Sequence, residues 1–217
     1  MDLPEGFHRE IIEARESQKN VDAKGEDIKN SVATTPLNPG GASFRTNVLV
    51  EESPSKLIYK PYIGAALFSL AFLIAGIVIL FFGIFPFERD SENIKWLIIG
   101  AGSIFFAVGC FTLYSFNKPK VFDKQLGFYY STYKFNFEKS TKDLSNNYIK
   151  LNRIIAVQII GEFINSSDGP YKSFELNLVL EDGSRRNVID HGNLKSIIDD
   201  AHVLSDFLDI PIWHATS

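Results

Sequence analysis

Chemistry at neutral pH leans on histidine, cysteine and paired carboxylates, and this sequence holds few of them in useful patterns. Its histidines are His8, His191, His202 and His214. None stands at metal-ligand spacing from another histidine, a cysteine or a carboxylate. Asp190-His191, with Asp199 and Asp200 one or two helical turns beyond, is the nearest approach to a catalytic constellation. Asp190-His191-Gly192-Asn193 reads better as a strand-to-helix corner whose side chains cap the helix start. No serine lies in a nucleophile elbow, and no glycine-rich phosphate loop follows a strand. The one cysteine, Cys110, lies inside an apolar run, where thiolate chemistry is disfavoured, and it allows no disulfide within the chain. We expect no catalytic residue, no metal and no cofactor, and hence not an enzyme.

Cations offer a second kind of chemistry. Lys118, Lys120, Lys124, Lys134, Lys139 and Lys142 follow the apolar region, and Arg185 and Arg186 follow an Asp-Gly turn. A basic loop gains about 1 kcal/mol per cation near an anionic lipid surface. The competing reading is lysine guarding solvated strand edges. Lys118, Lys120 and Lys124 are the candidate lipid-facing set. The formal charge of −4, with no basic aromatic stripe, argues against nucleic acid.

The elements that must position these groups centre on residues 61–116. Residues 62–85 and 96–116 are two apolar runs without a charge, joined by the polar segment Pro86 to Lys95. A bilayer core of roughly 30 Å needs about 20 helical residues. The remaining chain is too short to bury two such runs in a soluble core, so a transmembrane hairpin is expected. Tyr59, Tyr62, Trp96 and Tyr114 suit the headgroup zone. Arg45, Lys56 and Lys60 before the hairpin and three lysines after it outweigh Arg89 and Lys95, which Glu88, Asp90 and Glu92 accompany. The positive-inside rule then puts both termini in the cytoplasm. Gly76 and Gly83 are seven apart, Gly102 and Gly109 likewise, and Ser103 and Ala107 form a small-xxx-small pair. Such residues let helices approach closely, within the hairpin or in a homo-oligomer. Neither run holds an ionisable group of the kind a pump or proton relay needs.

Residues 1–42 read as a flexible tail, with a short amphipathic helix at Glu5 to Gln18 and a breaker-rich linker at Thr34 to Ala42. The start of the chain lacks the apolar core of a cleaved signal, so the first run is expected to act as an uncleaved anchor. Residues 43–60 read as a β-hairpin, marginal alone and therefore expected to dock on the C-terminal domain. Residues 117–217 suffice for one core. Short strands are expected at PKVFD, GFYYS, TYKFNF, YIKL, RIIAVQIIGEFI, SFELNLVL and SRRNVID, with a two-residue turn at Asp182-Gly183. Leu194, Ile197, Ile198, Ala201, Leu204, Phe207 and Leu208 keep helical spacing after Asn193 as N-cap, and Pro211 stops the helix. The expected fold class is a membrane protein, α+β: the transmembrane hairpin plus a cytoplasmic pleckstrin-homology-like barrel or sandwich of about seven strands closed by a helix.

The segment LNLVLEDGSRRNVIDHGNLKSIIDDAHVLSDFLDIPIW resembles the end of a family of uncharacterised bacterial membrane proteins. These carry two membrane helices and a small β domain ending in a "fLgvPiW" phrase, here Phe207 to Trp213. Asp209 stands where that family commonly has glycine, so the resemblance implies an aspartate in a left-handed helix cap. It also implies the bacterial inner membrane and brings no activity. The expected role is a non-enzymatic anchor that presents its β domain to a protein partner or an anionic lipid surface. The alternative is an accessory or immunity subunit of a larger membrane or envelope complex.

Overall fold

The computed structural model describes residues 25–85, 92–141, 147–167 and 169–215. The helix expected at Glu5 to Gln18, His8, most of the inter-helix loop and Lys142 lie outside the described residues. The chain is α+β, with two long apolar helices and a two-sheet β region. It forms two compact units. One comprises residues 42–151 and 190–193. The other comprises residues 25–41, 152–189 and 194–215.

In the first unit, β1 (Asn47–Ser53) and β2 (Lys56–Pro61) form a hairpin that leads into α2 (Ile63–Ile84) and α3 (Glu92–Asn117). The helices span 22 and 26 residues, about 33 and 39 Å at 1.5 Å per residue. Then follow β3 (Lys120–Asp123), β4 (Phe128–Tyr130), the short α4 (Phe137–Thr141) and β5 (Tyr148–Lys150). β2 pairs antiparallel with β3, so one five-stranded meander, β1-β2-β3-β4-β5, is built from both sides of the helical pair. On one face Val121, Phe128, Tyr130 and Tyr148 pack with Ile58 and Phe135. On the other, Leu57, Tyr59, Phe122 and Tyr129 are buried as well.

The second unit holds β6 (Ile154–Ser166), β7 (Gly169–Leu180), most of β8 (Arg185–His191), α5 (Leu194–Leu208) and β9 (Ile212–Ala215). The sheet order is β8-β7-β6-β9, with β9 parallel to β6. Alternation along the strands gives two faces. Val157, Ile159, Leu176 and Leu178 share one parity and are buried, and α5 packs on β6 and β7 with Ile197, Ala201 and Leu204 buried. Ala156, Gln158, Glu175, Asn177 and Val179 take the other face. There Ile28, from a helix (α1) described over residues 25–31, and Val32 just after it pack with Ala156, Val179 and Trp213.

Several expectations are corrected. The strands make two open sheets, not one closed barrel. The expected flexible linker is held down on the four-stranded sheet. The amides of Leu37 and Asn38 donate to the Glu175 carboxylate at 2.8 and 2.6 Å. Gly40 donates to Glu162 at 3.0 Å, Tyr171 donates to the Gly41 carbonyl at 3.1 Å, and Arg185 donates to the Thr35 carbonyl at 2.8 Å. An irregular segment has no backbone partners of its own, so side chains of the sheet supply them. TYKFNF is not a strand: its alternation is broken by Asn136, whose side chain caps α4 by accepting from Lys139 N–H at 3.0 Å. The Asp182-Gly183 turn is longer than two residues. Gly183 alone is left-handed (φ 78°), while Asp182 accepts from the Ser184 amide at 2.9 Å. Asp209 does adopt the left-handed conformation (φ 56°), with Ile210 N–H donating to the Ser205 carbonyl at 3.2 Å, a Schellman cap on α5.

Candidate interfacial site

The two apolar helices meet through glycine. A methyl group added to Gly109 would lie 2.6 Å from the Leu73 amide nitrogen, and one on Gly102 2.8 Å from that of Leu80. On the other helix, Gly83 faces Ile99 and Gly76 lies against the Phe106 backbone. The four meetings share one antiparallel register, in which seven residues forward along α2 match seven back along α3. A repeat of seven keeps one face of each helix toward the other. Each glycine face is thus taken by the other helix of the same chain. Ser103 and Ala107 are not part of this seam. Both are exposed on another face, and the Ser103 hydroxyl donates to the Ile99 carbonyl at 2.8 Å.

Where the helices join the sheet, polar groups collect. The Tyr62 amide donates to the Thr46 carbonyl at 2.8 Å, and Asn47 Nδ2 donates to the Phe116 carbonyl at 3.2 Å. Arg45 donates to the Asn47 carbonyl at 3.1 Å and lies 5.8 Å from the centre of the Tyr62 ring. Lys118 and Lys120 leave α3 at the same end, both half-buried. Burial pushes the Lys120 ammonium down to about 8; Asp190 opposes the shift and Lys118 adds to it. Asp190 and His191 stand beside them at the end of β8. His191 Nδ1 accepts from the Asn193 amide at 3.3 Å, which leaves the hydrogen on Nε2. Nε2 is buried with no hydrogen-bond partner among the described residues. Burial, then the positive charges of Arg45 and Lys120, push its pKa down to about 4, so the ring is neutral. Gly192 packs directly against the Ser43 carbonyl, where no side chain fits. This is a tight structural corner. Among the described residues no group of three or more His, Cys, Asp or Glu side chains could hold a metal ion.

Lys124 does not belong here. β3 runs away from α3, so Lys124 lies four strand rises, about 13 Å, beyond Lys120. It is exposed, and its amide bonds the Ser55 carbonyl at 2.8 Å in the turn at the far end of the sheet. β4 returns antiparallel, with Tyr130 opposite Val121, and delivers the segment that begins at Ser131 back to the helix end. Tyr133 donates to the Tyr114 carbonyl, one turn inside α3, at 3.1 Å, with the two rings 5.9 Å apart. Phe135 turns inward, 5.2 to 5.6 Å from the rings of Phe128, Tyr130 and Tyr148. A cavity of about 400 Å³ opens beside it, lined by Thr132, Lys134, Asn136, Lys139, Asn147 and Tyr148. The Tyr148 hydroxyl braces it, accepting from the Asn136 amide at 3.2 Å and meeting Thr132 Oγ1 at 3.2 Å. Among the described residues, two exposed lysines and no carboxylate line this cleft. Both lysines are visible in the sequence, but the alternating aromatics of TYKFNF suit a strand and give no sign of a cleft.

No protein-family model matches the chain, and neither does any curated protein.

Proposed function

We propose that the chain is a non-enzymatic membrane anchor: α2 and α3 cross a bilayer as a hairpin, and the β region stands on the cytoplasmic side. The observation that carries this reading is the outer surface of the helices. Leu67, Leu97 and Phe111 are 59, 72 and 70% exposed, and most of their neighbours on both helices are uncovered. A pair of soluble core helices would be buried; this surface needs lipid. Arg45, Lys118 and Lys120 at the sheet end of the hairpin support a cytoplasmic placement for that end. A long antiparallel meander, a second antiparallel set and a closing amphipathic helix support a pleckstrin-homology-like domain with the membrane hairpin inserted between its second and third strands. The resemblance of the C-terminal phrase supports the bacterial inner membrane. The domain is presented to a protein partner or an anionic lipid surface.

The test is cysteine labelling of the full chain in intact cells, in a Cys110→Ser background. Ser91→Cys should react with an impermeant maleimide from outside, and Ser55→Cys only after permeabilisation. The reverse pattern would invert the topology, and equal labelling of both would remove the hairpin. Affinity purification in mild detergent then separates roles. A stoichiometric partner makes this an accessory or immunity subunit; a lone chain makes it an autonomous anchor.

A further inference from the structure

We propose that residues 131–141, with Asn147 and Tyr148, form an interfacial foot whose cleft binds the phosphate of an anionic phospholipid. This rests on the membrane reading above and adds to it a site, a ligand class and a set of residues. Two independent observations converge.

The first is position. The foot is fixed to the membrane end of α3 by the Tyr133–Tyr114 hydrogen bond and ring contact. A tyrosine bonded one turn inside a spanning helix sits at headgroup depth, where an aromatic body and a polar tip are both satisfied. Phe137 is 71% exposed and Tyr133 56% exposed, both large rings open over most of their surface. An exposed phenylalanine next to the cleft-lining Asn136 is costly in water and favourable at the acyl boundary.

The second is the chemistry of the cleft. Lys134 and Lys139 supply two cations, and Thr132, Asn136, Asn147 and Tyr148 line the rest of the wall with hydroxyl and amide groups. A phosphodiester is a compact anion with several acceptor oxygens, and lysine binds it as a point charge. The approximately 400 Å³ volume exceeds a phosphate group alone and accommodates a headgroup with its glycerol. Among the described residues, no carboxylate lines the cleft to repel it.

The experiment is native mass spectrometry of the full-length protein in mild detergent, titrated with phosphatidylglycerol and separately with phosphatidylcholine. The wild type should retain one phosphatidylglycerol far more firmly than phosphatidylcholine. Lys134→Gln with Lys139→Gln should weaken retention about thirtyfold, which corresponds to two surface cations. Lys124→Gln with Lys150→Gln removes the same charge at the far end of the sheet and should change retention less than threefold. Lys134→Arg with Lys139→Arg, which keeps the charges, should restore retention, and an unfolding temperature of the glutamine pair equal to the wild type's shows that its loss is not one of folding. Equal loss in both glutamine pairs, or equal retention of both lipids, overturns the proposal. If sn-glycerol 1-phosphate competes at the same concentration as the lipid, the ligand is a soluble phosphate and the lipid assignment is overturned. Alkaline extraction of native membranes isolates the underlying reading. A chain that stays in the pellet but shows no lipid preference defeats the cleft alone, whereas a chain that washes off defeats the anchor.

Discussion

Between α2 and α3 the contact residues are Gly76, Gly83, Gly102 and Gly109, defined by the side chains they lack. Between residues 33–41 and the four-stranded sheet the contact residues are Gln158, Glu162, Tyr171, Glu175 and Arg185, defined by what their side chains supply. The difference follows from the state of the backbone. A helix satisfies its own N–H and C=O groups, so two helices need only come close, and each missing Cβ brings more atoms into van der Waals range. The arm is irregular, so its N–H and C=O groups need partners, and the sheet offers carboxylate, guanidinium and hydroxyl groups to meet them. Glu175 sits in the middle of that contact, 2% exposed, and takes a third donor from Asn177 Nδ2 at 2.9 Å.

Breaking the first contact should have the largest effect. Gly76→Val with Gly109→Val drives side chains into the Phe106 and Leu73 backbones, which cannot yield as a flexible side chain could. We expect a loss of about 3 kcal/mol or more from overpacking, read as a lowered unfolding temperature in mild detergent. Amide exchange at Leu37 and Asn38 should not change.

Glu175→Ala should cost about 3 kcal/mol, because it strips two arm amides of a charged acceptor in a buried setting. Urea unfolding measures the loss, and hydrogen exchange localises it: Leu37 and Asn38 should exchange faster while α2 and α3 keep their rates. Unchanged exchange at those two amides would show that the arm is held by something else.

Acid sharpens the contrast, since the helix seam contains no titratable group and the corner beside it contains His191. In the folded chain His191 takes up a proton only near pH 4, against 6.5 in its ordinary state. Between these values the unfolded chain binds a proton that the folded chain refuses. The contribution is therefore complete above pH 6.5 and is lost as pH falls toward 4. The wild type should lose about 2–3 kcal/mol more than His191→Asn across that window. Asparagine keeps an acceptor for the Asn193 amide and does not titrate. Parallel pH profiles for the two proteins would mean that His191 is not neutral when buried.

The smallest change lies outside both contacts. Asp209→Gly relieves a left-handed non-glycine residue at φ 56° and should stabilise the chain by about 1 kcal/mol. The fold and both contacts should be untouched.

Much of this architecture is legible in local patterns. The two apolar runs give helices because their length and lack of charge fit one structure. The spacing of Ile197, Ala201 and Leu204 gives α5, and the phrase after it gives a left-handed Asp209. The glycine steps of seven mark the seam. Periodicity misleads at TYKFNF, where alternating aromatics suit a strand and the fold uses them as an inward plug, Phe135, between two outward rings. It also misleads at the arm, where proline and glycine signal irregular backbone but not whether that backbone is free. The clue was on the sheet, not on the arm: Glu175 and Asn177 interrupt an apolar strand, and buried polar groups need partners.

By itself the sequence determined the helical hairpin, its faces and the terminal helix, because those depend on residues within a few positions of one another. Only the tertiary structure decided that two open sheets replace a barrel, that residues 33–41 are strapped to one of them, and that Lys134 and Lys139 share a cleft at the helix end while Lys124 is carried away from it. Those outcomes turn on strand direction and on pairs such as Leu37 and Glu175, 138 positions apart. No local pattern encodes such a separation.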